Sequence, residues 1–449
     1  MSPIIAVPAD WAEGEVLPSK INFKSKVIMC QEPPQCHLFT IVTSLKELIG
    51  VYYYFQFKTK SRRREVSVRI ETPPWTSDSG VTQQVALQVL LNGPISRSEI
   101  ARRLNLSQGS LTRLSTPLIE NGLLVEVEER NNGRAGRPSR PLDVVANSQH
   151  FIGIKLTGDQ VFGATTNLRA NVIASDSLPL SSRDPEDVVK IIGQLVGSLA
   201  KHASSITAIG VGIGGLVSEH SDVIAAPFLG WSNVQLGSML EKTTGIPVNI
   251  DNDLTALTEL EHWFGAGRGF GNFAVLTLGA GIGYGLVIHD EIVTDEDSGL
   301  GLIGHWPLDP YGPICPSGHR GCARSVLTES AIEQSVSLAL HRQVNYQEAL
   351  DLAQTGEPAA KRIIDDAGRG LGHLIAAISN LTSPDRIILS GEGVRLADVA
   401  SDAIQEGIRN DRNPKARKID LVTLQGNNIE WCRGAAVIAI QRFVLGRRL

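Results

Sequence analysis

Three short apolar segments between residues 206 and 278 each end in a tight polar or glycine-rich turn. The segments and their turns are 206–212 with Gly214-Gly215, 246–250 with Asp251-Asn252-Asp253, and 273–278 with the glycine-rich run 279–285. Helical patterns lie between them, and strands that alternate with helices indicate an α/β architecture. Because open α/β sheets place ligands at the ends of their strands, we expect a ligand site built from these turns.

Charge and glycine are unevenly distributed along the 449 residues. The net charge is −5, but residues 1–150 hold 18 basic and 14 acidic side chains, a net of +4, and residues 151–449 hold 24 and 33, a net of −9. Of the 44 glycines, 36 lie after residue 150. This split predicts a basic N-terminal module joined to a larger acidic domain rich in tight turns.

Composition argues against a membrane-spanning or secreted protein. The sequence has no run of about 18 uncharged apolar residues, and its first residues lack the signal-peptide pattern. Five cysteines, an odd number, argue against a disulfide framework and for the reducing cytoplasm. Residues 1–80 hold no lasting periodicity and are expected to form a poorly ordered extension, in which the basic run 58–64 could also contact phosphates.

Residues 81–147 show the pattern of a winged helix-turn-helix. Ser96 and Ser107 are predicted N-caps, and Glu99 completes a capping box with Ser96. The predicted elements are helices at about 82–91, 97–104 and 108–120 and strands at 123–127 and 141–145. A plain three-helix domain with a polar face is the alternative interpretation.

The third helix of such a module enters the major groove with its N-terminal residues leading. Gln can read adenine, Arg can read guanine and hydroxyl groups can hold phosphate, so the candidate contacts are Ser107, Gln108, Ser110, Thr112 and Arg113. In the wing loop, Arg134 and Arg137 are candidates for a narrow minor groove. Eight arginines and no lysine lie between Arg97 and Arg140, which favours double-stranded DNA as the partner.

Several motifs from about Val81 to the C-terminus together resemble the ROK family (repressors, open reading frames and sugar kinases), and in particular its winged-helix transcriptional regulators. Besides the Gly/Arg-rich wing, they are residues 226–231, Asn252-Asp253, 264–269, 276–283, Gly304-His305 and 318–322. The resemblance implies an actin-like ATPase (ribonuclease H-like) fold over residues 150–449, with two α/β lobes around a sugar cleft. The last helix, expected from Gly434 to Phe443, should pack back on the first lobe. Residues 1–80 lie outside the resemblance.

The turn that would hold nucleotide phosphates departs from the family's Asp-x-Gly-Gly-Thr pattern. This chain has Lys155-Leu156-Thr157-Gly158-Asp159 there, so the glycine pair is lost and Asp159 adds a negative charge. Anion sites need free N–H groups and positive potential. Glu392 also replaces a usual glycine on the adenosine side, although the run 279–285 is kept. We therefore expect no ATP binding and a degenerate, non-enzymatic kinase-like domain.

The resemblance places Asn252, Asp253 and His305 in the sugar site, with Asp253 at the position of the kinases' general base. Here Asp253 is expected to be a vestigial base that accepts hydrogen bonds from sugar hydroxyls, or else only a cap for the helix that it precedes. Three family positions have changed: Phe228 stands for Asn, Leu302 for Glu and Arg324 for Glu. Because lost hydrogen-bonding partners reduce discrimination, we expect a ligand other than plain glucose or N-acetylglucosamine, or weak sugar binding.

The family's zinc pattern is His-x9-Cys-x-Cys-x4-Cys. His305, Cys315 and Cys322 match it, but Ser317 replaces the middle cysteine. Serine is a poor zinc ligand because its hydroxyl is neutral, and His319 could complete a His2Cys2 set. The alternative is a vestigial, metal-free loop.

These observations predict a cytoplasmic DNA-binding regulator, most simply a repressor of carbohydrate-metabolism genes. It would bind a double-stranded operator as a homodimer or homotetramer and respond to a sugar or sugar phosphate. Two alternatives remain: an active ATP-dependent sugar kinase with a DNA-binding head, and a ligand-free scaffold that responds to a protein partner.

Overall fold

A computed structural model describes residues 80–128 and 140–446, all within the unit formed by residues 71–449. The expected N-terminal extension, except Gly80, and most of the wing loop therefore lie outside the described residues. No helix within the described ranges is long and apolar enough to cross a membrane.

The first described part, called the head (residues 80–128 and 140–148), contains three helices and a two-stranded antiparallel sheet. Ser96 caps the second helix by accepting the Glu99 N–H at 3.2 Å, and Ser107 caps the third by accepting the Ser110 N–H at 3.1 Å, so both predicted caps are confirmed. The elements are α1 (Gly80–Asn92), α2 (Arg97–Arg103), α3 (Gln108–Glu120), β1 (Leu124–Glu126) and β2 (Leu142–Val144).

The predicted capping box at Ser96 is only half formed. The carboxylate of Glu99 pairs with Arg102 at 2.7 Å and Arg103 at 2.8 Å on its own helix face instead of returning to the backbone of Ser96. Two charged partners on the same helix outcompete one neutral N–H for the carboxylate. The Ser96 cap thus stands without the reciprocal bond.

Lobe 1 (residues 150–265 and the last helix) is built on a five-stranded sheet. Its strands are β3 (His150–Leu156), β4 (Gln160–Asn167), β5 (Val172–Pro179), β6 (Ala208–Ile213) and β10 (Val248–Asn252). Their order in the sheet is β10-β6-β3-β4-β5. β3, β6 and β10 run parallel, whereas β4 and β5 continue antiparallel from β3. The helices are α4 (Pro185–Leu199), α5 (Leu236–Thr244), α6 (Asp253–Phe264) and α13 (Asn428–Phe443), and a small sheet contains β7 (Leu216–Ser218), β8 (Asp222–Ala226) and β9 (Trp231–Val234).

Lobe 2 (residues 273–423) repeats the same topology in a second five-stranded sheet. Its strands are β11 (Phe273–Leu278), β12 (Ile282–Ile288), β13 (Glu291–Ile292), β14 (Arg386–Ser390) and β15 (Leu421–Thr423). Their order in the sheet is β13-β12-β11-β14-β15. Its helices are α7 (Ala323–Leu327), α8 (Glu329–Leu340), α9 (Tyr346–Gln354), α10 (Pro358–Thr382), α11 (Leu396–Val399) and α12 (Ser401–Asp411). Two such lobes are the architecture that the resemblance implied.

The last helix packs back on lobe 1, as predicted, but it begins at Asn428 and not at Gly434. Asn427 caps it by accepting the Glu430 N–H at 2.9 Å, a signal that the sequence reading overlooked. Two glycines allow the close approach of α13 to the sheet: a methyl group on Gly153 would lie 1.8 Å from the Cys432 carbonyl oxygen, and one on Gly210 would lie 1.7 Å from that of Ala435. These contacts leave no room for any side chain at either glycine.

Candidate functional site

The carboxyl ends of β3, β6 and β10 lie side by side at one edge of the lobe 1 sheet, where an α/β fold places its ligand. Asn252 ends β10 and caps α6, because its side-chain oxygen accepts the N–H groups of Leu254 at 3.0 Å and Thr255 at 3.2 Å. Its amide group donates to the Gly215 carbonyl at 3.0 Å. The N-cap of α6 is therefore Asn252 and not Asp253. The Asn252 side chain also links this helix to the Gly215 turn.

Asp253 forms an ion pair with Lys155, the residue at the end of β3. The side chains are 8% exposed for Lys155 and 15% exposed for Asp253, so the pair is largely withdrawn from water. The other oxygen of Asp253 accepts the Leu254 N–H at 2.8 Å at the start of α6. The carboxylate that would serve as a general base thus has an internal cation as its partner.

The Lys155 ammonium also lies 4.2 Å from the ring centroid of Trp431 in α13. A cation at this distance from an indole face is attracted by the ring quadrupole. Sequence reasoning missed both partners of Lys155, although a signal was present. A lysine in the apolar run 151–156 is buried and requires a counter-charge, and Asp253 is the acid that the fold supplies.

Phe228 reaches over the same edge from the turn between β8 and β9. A methyl group on Gly214 would lie 3.4 Å from the Phe228 ring and 3.4 Å from Oδ2 of Asp253, and one on Gly281 of lobe 2 would lie 3.9 Å from the ring. Phe228 is 46% exposed. Its ring therefore lies between the glycine turns of the two lobes and beside Asp253, and its role as a ligand contact stays a prediction.

The turn after β3 closes on itself. The Thr157 hydroxyl donates to Asp159 at 2.9 Å or to the Gln160 carbonyl at 3.0 Å, and the Thr157 N–H donates to the same carbonyl at 3.0 Å. Arg183 donates to the Gly158 carbonyl at 2.8 Å. The donors of Thr157 are therefore already engaged within the turn.

The glycine-rich turn after β11 faces acidic side chains. A methyl group on Gly279 would lie 2.6 Å from Oε2 of Glu392, and the Gly279 carbonyl accepts the Glu329 N–H at 3.1 Å. Burial, together with the neighbouring Glu392 and Glu333, raises the pKa of Glu329. The surroundings of this turn are negative, which disfavours a nucleotide phosphate.

The segment that carries Leu302 and His305 approaches the cleft from lobe 2. A methyl group on Gly299 would lie 3.0 Å from the Asn252 amide nitrogen, so the start of this segment contacts lobe 1. Leu302 itself is 60% exposed, whereas His305 is half-buried. Leu302 stays a prediction as a ligand contact, and the structure gives it no partner that supports the role.

His305, Cys315 and His319 come together in the loop before α7, with one ligand atom of each within 4.8 Å of the others. Sγ of Cys315 lies 3.8 Å from Nδ1 of His305 and 3.7 Å from Nδ1 of His319. Sγ of Cys322 lies 4.0 Å from Nδ1 of His305. In a tetrahedral zinc site, sulfur and nitrogen ligands lie about 3.5 Å apart, so the sulfur–nitrogen distances here are close to those of such a site. The Nδ1 atoms of His305 and His319 lie nearer to each other, at 2.9 Å.

The ionisation of the cluster also favours metal binding. Burial raises the pKa of Cys315, but N–H groups of His319 and Ser317 and the side chains of Cys322 and His319 outweigh it and lower the pKa of Cys315 to about 7. Burial, His319 and Arg324 lower the pKa of His305, which favours the neutral imidazole. Ser317 itself is exposed and contributes its backbone to the loop.

The N-terminal half of α3 presents a polar face. Gln108, Thr112 and Arg113 are exposed, and Arg113 has no ion pair within the described part of the chain. The hydroxyls of Ser107 and Ser110 lie 2.9 Å apart at the cap, and the Thr112 hydroxyl donates to the Gln108 carbonyl at 3.0 Å. Gln108 and Arg113 are thus the predicted readers whose side chains are available for bases.

The base of the wing is held by ion pairs. Arg97 pairs with Glu126 at 2.6 Å and donates to the Arg140 carbonyl at 3.1 Å. Arg140 also contacts Glu126 at 3.5 Å. The predicted wing residues Arg134 and Arg137 lie outside the described residues.

Comparison with known proteins places this geometry in context. The family model described as "ROK family" matches residues 151–442. The chain is 27% identical over 362 residues to the DNA-binding transcriptional repressor Mlc of Escherichia coli, covering 77% of this chain and 89% of that protein. It is 29% identical over 332 residues to the DNA-binding transcriptional dual regulator NagC of the same species, covering 70% and 81%. A xylose repressor of Bacillus spizizenii is 27% identical over 316 residues, covering 69% and 81%.

Solved structures show the same fold. A ROK family transcriptional regulator described as a homologue of the Escherichia coli Mlc protein superposes with a TM-score of 0.70 and 25% identity, covering 82% of this chain and 98% of that one. A ROK family glucokinase from Streptomyces griseus, in complex with glucose and AMPPNP, gives a TM-score of 0.57 at 21% identity, covering 64% and 98%. The second likeness concerns the fold alone.

Proposed function

The chain belongs to the ROK family, and we propose on that premise that it is a DNA-binding transcriptional regulator, most simply a repressor of carbohydrate-metabolism genes. The observation that carries the proposal is a three-helix head with an exposed polar face on α3, in the same chain as the two ROK lobes. Two relatives that match about 70% or more of the chain, one described as a transcriptional repressor and one as a transcriptional dual regulator, support it.

The proposed DNA contacts divide by chemistry. Gln108 and Arg113 read base edges in the major groove, since their side chains are exposed and Arg113 is not engaged in an ion pair within the described ranges. Ser107, Ser110 and Thr112 contact phosphates with the lone pairs that their helix bonds leave free. Arg134 and Arg137 of the wing are proposed for the minor groove. A DNA partner also favours a cytoplasmic location and an operator with two half-sites read by a homodimer or homotetramer.

The lobes are proposed to bind a sugar-like effector without phosphoryl transfer. A general base needs a carboxylate that can take a proton from the substrate hydroxyl, but Lys155 neutralises Asp253. An anion site needs free N–H groups and positive potential, but the Thr157 N–H is already bonded within its turn, the same turn carries the negative Asp159, and the turn at Gly279 faces Glu392. The kinase alternative is therefore disfavoured, while hydroxyl groups can still reach Asp253 beside Phe228.

We further propose that His305, Cys315, His319 and Cys322 hold one zinc ion. Two imidazoles and two thiols are ligands that zinc prefers, and a closed four-ligand site stabilises a loop rather than supplying an open position for catalysis. Bound there, zinc would fix the loop that carries His305 toward the cleft. The sequence offers His319 in place of the family's middle cysteine, and Ser317 is left to its backbone role.

Selection of bound genomic DNA tests the proposed function. The purified chain should enrich fragments that share a two-half-site sequence, and titration with sugars and phosphosugars should change the affinity for them. No enrichment would contradict the DNA-binding assignment. ATP turnover in the presence of a sugar, abolished by Asp253→Asn, would instead support the kinase alternative.

A further inference from the structure

Lys155 connects the ligand cleft with the last helix. On one side its ammonium pairs with Asp253, and on the other it lies 4.2 Å from the ring centroid of Trp431 in the first turn of α13. The backbone of this turn rests directly on β3, where the Cys432 carbonyl fills the space of a side chain at Gly153. A displacement of Lys155 therefore reaches Trp431, in a helical turn whose backbone is closely packed against the sheet.

The same turn of α13 holds the β4–β5 turn of lobe 1. Nε of Arg433 donates to the Ala170 carbonyl at 2.8 Å, and the guanidinium is fixed by Glu430 at 2.7 Å. Ala170 is fully buried and adopts a left-handed backbone conformation with φ of 53°, which is rare for a residue with a side chain. The surrounding contacts must hold the turn in this shape.

The β4–β5 turn also contacts the head. Arg169 forms an ion pair with Asp143 of β2 and donates to the Gly93 carbonyl, between α1 and α2, at 3.0 Å. Asn167 donates to Asn147 at 3.0 Å, and the Leu168 N–H donates to the Ala146 carbonyl at 3.1 Å. One turn of lobe 1 thus contacts the start of the helix-turn-helix and the base of the wing.

We propose that these contacts couple the ligand cleft to the head, with Lys155 as the positioning residue that responds to the effector. The chain of contacts runs from Asp253 through Lys155, Trp431, Arg433 and Arg169 to the head. The proposal rests on the proposed function, because it supplies the regulation of the same sugar site. In this proposal the Lys155–Asp253 pair has two states, one in which the two side chains are paired and one in which the effector separates them.

The chemistry of the pair explains why a polyhydroxylated ligand would act on it. A hydroxyl group donates a hydrogen bond to a carboxylate and offers lone pairs to an ammonium. Two adjacent hydroxyls can therefore insert between Asp253 and Lys155 and satisfy both charges. A ligand shifts an equilibrium only as far as its interactions differ between the two states, and here the separated pair is the state that offers both contacts. Lys155 then leaves its position over Trp431.

A double-mutant cycle tests the coupling without knowledge of the effector. Lys155→Met breaks the pair and should weaken binding to a DNA fragment selected by the wild-type chain by about tenfold, but by less than threefold when Arg169→Met has already cut the connection. Effects at independent distant sites would combine to within about twofold. Additive effects in this cycle would overturn the proposal.

The matched control is Arg386→Met. Arg386 also pairs with an aspartate, Asp420, donates to the Ala266 carbonyl at 2.9 Å and is 24% exposed against 25% for Arg169, but it lies in lobe 2 and away from the head. The full tenfold effect of Lys155→Met should persist in this background. If Lys155→Met no longer weakened DNA binding in the Arg386→Met background, the loss of any ion pair would abolish the effect. That result would contradict a specific connection through Arg169.

Hydrogen exchange provides a readout that does not need DNA. Lys155→Met, and the charge-free pair Lys155→Met/Asp253→Asn if the single variant does not fold, should accelerate amide exchange at residues 167–171 and at α2 more than at α4 of the same lobe, while β14 stays protected. Unchanged exchange at that turn would refute the coupling even if operator binding is strong. A wild-type chain that selects no DNA refutes the proposed function instead, and the exchange result still decides the coupling.

Discussion

Removal of the Lys155 ammonium should destabilise lobe 1 by about 3 kcal/mol. Lys155→Met keeps most of the side-chain volume but leaves Asp253 charged, 15% exposed and without its cation. Breaking a buried ion pair by removing one partner costs about 3–5 kcal/mol. The loss of the cation–π contact with Trp431 adds to this cost, whereas the Leu254 N–H at 2.8 Å and the positive end of α6 recover about 1 kcal/mol.

The second variant removes both charges. In Lys155→Met/Asp253→Asn no unpaired charge remains, and replacing a buried pair by neutral groups of similar size is close to neutral. The double variant should therefore be more stable than Lys155→Met alone, by about 2 kcal/mol or more. A double variant that is more stable than the single variant indicates that the single variant loses stability through an unpaired charge and not through a simple loss of packing.

Thermal unfolding followed by circular dichroism measures both variants. For a lobe of this size, about 3 kcal/mol corresponds to a fall in Tm of roughly 6–12 °C. Because the pair is largely buried, the fall should change little between low and high salt. A fall of less than about 2 °C, or a double variant no more stable than the single one, would refute the assignment of Lys155 as the partner of Asp253.

Three further results are expected. Arg113→Ala should weaken operator binding by about 5- to 150-fold and relax base preference, because one base contact is lost. The control Arg102→Ala removes a guanidinium that pairs with Glu99, and it should reduce the affinity measured by fluorescence anisotropy far less. Equal losses of affinity would argue against Arg113 as a base-reading residue. Cys315→Ser should reduce the zinc content measured by mass spectrometry from one ion per chain toward none, and a metal-free wild-type chain would contradict the zinc proposal. Burial and the nearby Glu430 raise the pKa of Glu261 in the folded chain, so its ionised form destabilises the fold above that pKa. Glu261→Gln should therefore raise Tm at pH 8, with a gain that fades as the pH falls toward about 4.5, the value of an exposed carboxyl; a gain independent of pH would contradict this cause.

Local signals predicted the head well. Ser96 and Ser107 precede apolar helical patterns, and a cap depends only on residues within the same turn, so both starts were readable. The predicted start of α13 was six residues late, because the apolar pattern begins inside the helix and only Asn427 marks its true start. The choice between Asn252 and Asp253 as the cap of α6 could not be made from adjacent residues that both favour that position.

Contacts between distant segments were harder to predict. The departure of residues 155–159 from the family's phosphate-turn pattern was visible in the sequence, but the partner of Lys155 lies 98 positions away. Nothing in the local pattern joins the two, since only the parallel order of β3, β6 and β10 brings their ends to one edge. The docking of Arg169 on Asp143 and Gly93 likewise depends on a turn whose sequence shows an ordinary hairpin connection.

The most direct test of the central claim is selection of genomic fragments followed by affinity measurement at a fixed salt concentration near 0.15 M. The account predicts that the wild-type chain binds a recurrent two-half-site sequence at least about 1,000-fold more tightly than unrelated DNA. It also predicts that a member of a panel of sugars and phosphosugars changes that affinity. Equal affinity for all fragments, unaffected by every compound of the panel, would contradict the account.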